Sequence, residues 1–162
     1  MTSSIREKEL IVFDLDGTLA RSKTPMDAEM VGLFSSLLEK RMVAVIGGGW
    51  FPVFEMQLLA SLQGYEHLFS KLLLFPTSGA RFLRYEDGSW KTVYAHELSL
   101  EQRIKIKEAF ETVFKDIGYQ HPQTVYGEII EDRGTQITFS ALGQQAPIEL
   151  KDAYRGSVAD RR

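Results

Sequence analysis

Phe13-Asp14-Leu15-Asp16-Gly17-Thr18-Leu19 is the stretch on which the reading of this sequence turns. It follows a short apolar run rich in branched residues, 10–13, of the kind that forms a fully buried strand. Two carboxylates at i and i+2 then emerge where that strand becomes a loop, and parallel α/β sheets place ligand sites at such strand ends. Nearby carboxylates repel each other, so the pair favours a hard divalent cation such as Mg²⁺. With the charge balanced, one carboxylate can act as nucleophile while the other handles a proton. Gly17 lets the backbone turn away, and Thr18 brings a hydroxyl near the same oxygens. A plain strand-terminating turn is the bland alternative. An EF-hand loop fails on spacing, since Thr18 and Pro25 stand at its fifth and twelfth positions.

The pattern extends outward from this stretch. Thr24 and Pro25 offer a helix start, followed by Met26, Met30, Leu33, Phe34, Leu37 and Leu38 at helical spacing. Residues 42–46 form a second buried-strand candidate, closed by Gly47, Gly48 and Gly49. Phe54, Leu58, Leu59 and Leu62 give another helical stripe ending at Gly64, and 72–75 reads as a third strand. This alternation predicts βαβ units around a parallel sheet. After Pro76 the pattern changes. Residues 80–85 and 90–94 flank a turn at 86–89 and predict a hairpin. Ser99 with Gln102 predicts a capping box ahead of a helix running to about Ile117. Residues 126–130 and 136–139 read as two further strands, and 150–162 as the beginning of a helix. The division follows: an α/β core over residues 1–78 and an α+β module over 79–162.

Composition bounds the function classes. The 162 residues include 44% hydrophobic and 25% charged, which suits a globular domain that needs no disulfide or metal as a staple. Nineteen Lys+Arg against 22 Asp+Glu give a net charge of −3, so nucleic acid is not expected as a partner. The absence of cysteine removes thiolate chemistry. The polar start at 1–10 and the lack of any apolar run near ~18 residues predict a cytoplasmic protein with no membrane partner. His67, His96 and His121 lie far apart with no metal-ligand spacing. Phe110, Phe114 and Tyr119 read as core, and Lys105 and Lys107 as a solvated helix face.

Phe-Asp-Leu-Asp-Gly-Thr-Leu after an apolar strand resembles the first motif of the haloacid dehalogenase superfamily of phosphatases and phosphotransferases. The stretch from Val43 through Gly47-Gly48-Gly49-Trp50 to Leu58 is similar to the second-motif region of its phosphomannomutase and sugar-phosphate phosphatase branch. Leu74-Phe-Pro-Thr-Ser-Gly-Ala80 looks like that branch's lead into the cap, and 131–143 like its substrate-facing cap strand. The resemblance implies a Rossmannoid parallel core with an α+β cap inserted after the third strand. It implies that Asp14 attacks phosphorus to form an aspartyl-phosphate and that Asp16 protonates the leaving alcohol, then activates water. Mg²⁺ would sit between the Asp14 carboxylate and the Asp16 main-chain carbonyl, and Arg133 would meet substrate phosphate.

Two departures stand beside the resemblance. The hydroxyl that the second motif normally offers to phosphate is missing, because positions 47, 48 and 49 are all Gly. Backbone amides of such a turn can still hold an anion, or the turn can serve structure alone. A second cap arginine corresponds to Gln144, which disfavours a mutase; for Arg133 itself, a hairpin charge paired with Glu131 or Asp132 weighs equally. The Lys and acidic cluster of the later motifs have no counterpart; Lys151, Asp152 and Asp160 fall where the cap's second half is expected. The expectation is therefore an Mg²⁺-dependent phosphohydrolase acting on a small phosphorylated metabolite, in particular a sugar phosphate, on a chain lacking the C-terminal part of the usual fold. The alternatives are a phosphomannomutase-type phosphotransferase, and a non-catalytic haloacid dehalogenase-like binding domain or truncated inactive chain. An unpaired sheet edge is expected to invite a homo-oligomer.

Overall fold

The computed structural model describes residues 8–21 and 24–159, the last five of these as helical backbone only. The polar start at 1–7 and Asp160 lie outside the described residues. The chain divides into two compact units, Met1–His96 and Glu97–Arg162.

The first unit is built on a five-stranded sheet in the order β1-β2-β3-β4-β5. Strand β1 (Leu10–Asp14) pairs parallel with β2 (Met42–Ile46), and β2 pairs parallel with β3 (Leu72–Phe75). Val43, Ala44 and Val45 are covered to 2% exposure or less, as expected of an unbroken apolar run in a central strand. The crossover from β1 to β2 is helix α1 (Ala28–Lys40), which buries Phe34, Ser35 and Leu38. It starts three residues after Pro25. Asp27 is its N-cap, accepting from the Met30 amide at 2.8 Å, and the Met26 amide is drawn off to the Gln57 carbonyl at 3.1 Å. The crossover from β2 to β3 begins as α2 (Phe51–Phe54), widens into a π-helical turn over Glu55–Leu59 and tightens to a 3₁₀ turn over Ala60–Leu62. Phe54, Leu58 and Leu62 are fully buried along it.

The hairpin is part of this core. Strands β4 (Arg81–Glu86) and β5 (Ser89–Ala95) are joined by Asp87-Gly88, both at positive φ (52° and 75°) as a two-residue hairpin turn requires. Leu83 of β4 opposes Leu74 of β3 and is buried, while Phe75 and Phe82 stack at 4.5 Å. Tyr85 and Trp90 pack on Phe69. The compact unit thus extends to His96 rather than ending at residue 78. Alternation in a hairpin shows that one face is buried, but not against which element.

In the second unit, helix α3 (Leu100–Asp116) carries the expected Ser99–Gln102 capping box. Strand β6 (Ile130–Asp132) pairs antiparallel with β7 (Ile137–Phe139), and α4 (Ile148–Ala159) follows. Regular pairing begins at Ile130 rather than at 126. Gly127 has φ 76°, and Gly143 approaches the Tyr126 backbone so closely that a Cβ would stand 2.2 Å from its carbonyl oxygen. Irregular bonds from Gln144 to Glu128 and from Gln145 to Tyr126 replace the ladder there. Phe114 is buried among Phe110, Tyr119, Phe139 and the edge of His121, in keeping with a core role. Lys107 departs from a purely solvated role by pairing with Asp132 at 3.2 Å. Among the described residues no helix is long and apolar enough to cross a membrane.

Candidate active site

Asp14 is the last residue of β1 and lies in register with Ile46, so the loops after β1 and β2 leave the same end of the sheet side by side. Leu15 (2% exposed) and Leu19 (5%) fold inward and pin the first loop to the core. Amides of Thr18, Leu19 and Ala20 converge on the Leu15 carbonyl at 3.1–3.3 Å, and the Gly17 amide donates to Ala20 at 2.7 Å. Gly17 takes φ 81°, where a side chain would be strained. This inward–outward alternation leaves Asp14, Asp16 and Thr18 facing solvent. The Thr18 hydroxyl donates to Asp14 Oδ2 at 3.5 Å, a long contact.

Asp16 is held from a different direction. The side-chain amide of Gln57, on the π-helical turn, donates to Asp16 Oδ1 at 3.0 Å. Gln57 was not singled out by the sequence, although its spacing of three from Phe54 places it on the buried face of an otherwise apolar stripe. A cavity of about 260 Å³ lies beside the loop, lined by Thr18, Arg21, Thr24 and Asp27 among others. A larger concavity of about 480 Å³ lies at the opposite ends of the strands, among Lys8, Lys40, Arg41 and Lys71, and contains no candidate catalytic group.

The glycine turn is tightly used. The Gly47 amide donates to the Phe75 carbonyl, while the Gly47 and Gly49 carbonyls accept from Ser78 and Thr77. A Cβ on Gly49 would stand 2.9 Å from Val53 Cβ, so the residue four positions on excludes a side chain there. Space exists at Gly48, where the nearest heavy atom to a Cβ would be Ser78 Oγ at 4.0 Å. Ser78, also missed in the sequence, is thus an exposed hydroxyl beside the turn that lacks one. It lies in a left-handed run with Thr77 and Gly79 (φ 51°, 57° and 84° in chain order).

Arg133 belongs to the second unit. Its Nε donates to Glu131 Oε2 at 2.5 Å, and its Nη2 to Gln144 Oε1 at 3.4 Å. The side chain is only 11% exposed. The neighbouring Asp132 accepts from the Gly134 amide and pairs with Lys107 and Arg103.

No protein-family model and no curated protein matches the chain. Solved structures do. The IMP-nucleotidase of Plasmodium falciparum superposes with a TM-score of 0.57 at 15% identity, over 80% of this chain and 34% of that one. Its C-terminally truncated form gives 0.55 at 15% identity, over 92% and 50%. A haloacid dehalogenase-like hydrolase from Bacteroides thetaiotaomicron matches over 64% of this chain and 37% of its own, at 21% identity and a TM-score of 0.49. The chain spans between about a third and a half of the length of these structures. At such identities the likeness is one of fold alone, and the shared fold is the α/β one of the IMP-nucleotidase structures.

Proposed function

We propose that this chain is of the haloacid dehalogenase type that its first motif resembles, and provides the nucleophile and the acid–base of a phosphohydrolase acting on a small phosphoester, in particular a sugar phosphate. One observation carries the reading: Asp14 and Asp16 project together from the end of a parallel strand, the first solvent-facing and the second fixed by a buried amide. Asp14 attacks phosphorus, a carboxylate O–P bond forms, and the ester O–P bond breaks. Asp16 gives its proton to the departing oxygen. Asp16 then takes a proton from water, whose oxygen attacks phosphorus; inorganic phosphate leaves, and Asp14 regains its carboxylate.

The Asp14 carboxylate and the Asp16 main-chain carbonyl are hard oxygen donors of the type Mg²⁺ takes. Among the described residues no group of three or more His, Asp or Glu is placed to hold a metal. Two protein oxygens still fit Mg²⁺, which commonly completes its shell with water and substrate phosphate. When bound, Mg²⁺ would neutralise phosphate charge beside two acids. Ser78 and the Gly48 turn lie at the neighbouring strand end, where a phosphoryl oxygen needs donors.

The test is turnover of p-nitrophenyl phosphate, hexose phosphates and IMP, with and without Mg²⁺. IMP is included because the fold is shared with an IMP-nucleotidase. Asp14→Asn is expected to reduce turnover to background. A mannose phosphate interconverted rather than hydrolysed would indicate a mutase. Absence of any Asp14-dependent turnover overturns the reading and leaves a binding domain.

A further inference from the structure

Gln57 is the fully buried polar side chain that touches the candidate site. Its exposure is 0%, and its Nε2 lies 3.0 Å from Asp16 Oδ1, 3.1 Å from the Arg21 carbonyl and 3.3 Å from the Thr24 carbonyl. All three neighbours are acceptors, which settles which end of the amide faces them: a flipped Oε1 would meet three oxygens. Two amide hydrogens serve the three, so Asp16 shares its donor with the Arg21 and Thr24 carbonyls. Oε1 is buried with no hydrogen-bond partner among the described residues. Leaving a buried acceptor unpaired is destabilising, and packing alone would avoid that by placing Leu here. The main-chain carbonyl of Gln57 also accepts from Met26. The turn carrying it is the π-helical one, a departure from regular helix that frequently marks functional sites.

We infer that Gln57 is the positioning residue for Asp16, holding one oxygen of the proton-transferring carboxylate and joining it to Arg21 and Thr24, which line the adjoining cavity. The inference rests on the phosphohydrolase reading above. It makes the two oxygens of Asp16 inequivalent, because Oδ1 is held by the amide. It also ties the orientation of the acid to Arg21 and Thr24, since one side chain bonds to all three residues.

The leaving group gives the test. An alkyl phosphate needs its departing oxygen protonated, whereas p-nitrophenolate leaves with little help. Gln57→Met keeps the side chain's length and removes the donor. Its kcat on an alkyl phosphate should fall about 10- to 100-fold, part of the ~10²–10⁴ that a positioned acid supplies. The fall on p-nitrophenyl phosphate should be at least about tenfold smaller, with KM little changed on either. Equal losses on both substrates would mean a merely structural role and overturn the inference. In unliganded protein, Asp16→Asn should displace the Gln57 side-chain amide signals from their wild-type positions, because it removes the carboxylate oxygen to which that amide donates. That measurement decides the case alone where the Met variant fails to fold, and an indifferent amide overturns the inference. Wild-type protein without Asp14-dependent turnover overturns the phosphohydrolase reading, whatever the amide does.

Discussion

Ser78 shows how much a single residue can concede. A non-glycine residue in the left-handed region costs about 1–2 kcal/mol, while replacing it by glycine frees the unfolded chain by roughly 0.4–1 kcal/mol. Ser78→Gly should therefore stabilise the first unit by about 0.5–1 kcal/mol, read as a higher Tm. Yet the hydroxyl stands beside the only glycine of the second turn with open space around it. The same substitution should raise KM for the phosphoester. A stabilised variant with unchanged KM would remove Ser78 from the site. Neither Ser78 nor Gln57 was legible beforehand, for a common reason. The Gln57–Asp16 contact spans 41 positions in sequence, and it becomes visible only once β1 and the β2–β3 crossover lie at one end of the same sheet.

At the scale of elements, the glycine turn and the α3–β6 junction each carry a prediction. Gly49→Ser places a Cβ against the branched carbon of Val53, which has no flexible end to yield. A loss of about 1–3 kcal/mol is expected by denaturant titration, as for other overpacked sites. Val53→Ala in the same chain should recover most of it. At the α3–β6 junction, burial pushes the Asp132 carboxyl up, but the Gly134 amide, then Lys107 and Arg103, outweigh it and hold it below the usual range. A depressed carboxyl stabilises the fold above its unfolded value of about 3.9 and loses that contribution as pH falls through the folded value. Asp132→Asn should therefore flatten the acid limb of the second unit's stability below about pH 4. High salt should weaken the wild-type effect, because the Lys107 side chain is 47% exposed.

The elements themselves were unequally readable. Strands β2 and β3 stand where the apolar runs 42–46 and 72–75 put them, because a fully covered strand needs no alternation to declare itself. The start of α1 shifted because Asp27 caps it while Met26 bonds to Gln57, a competition between neighbours invisible in spacing. The hairpin was recognised and its allegiance was not, since pairing with β3 depends on Leu83 and Phe82 finding Leu74 and Phe75. Arg133 was open between substrate and salt bridge, and in the structure it pairs with Glu131 and Gln144.

For the molecule as a whole, β1 is the feature with the widest reach. It has β2 on one side, and among the described residues no strand on the other. Leu10 and Val12 remain 46% and 59% exposed there, and Leu33 of α1 62%. An open edge with apolar side chains favours association with another chain. Sedimentation of the wild-type protein should show concentration-dependent self-association that Val12→Lys suppresses. A wild-type monomer at every accessible concentration would dismiss the edge as an interface.

That edge also leaves a kinetic signature at the position of the nucleophile. Along a strand paired on one side only, successive amides point alternately into the sheet and away from it. Exchange with solvent deuterium should therefore alternate from slow to fast between Leu10 and Asp14, while Val43 to Val45, paired on both sides, exchange slowly throughout. Anything that completes the sheet would abolish the alternation in β1 and leave β2 unchanged. The residue proposed to accept a phosphoryl group thus ends a strand paired on one side only, where exchange reports directly on whether the edge is covered.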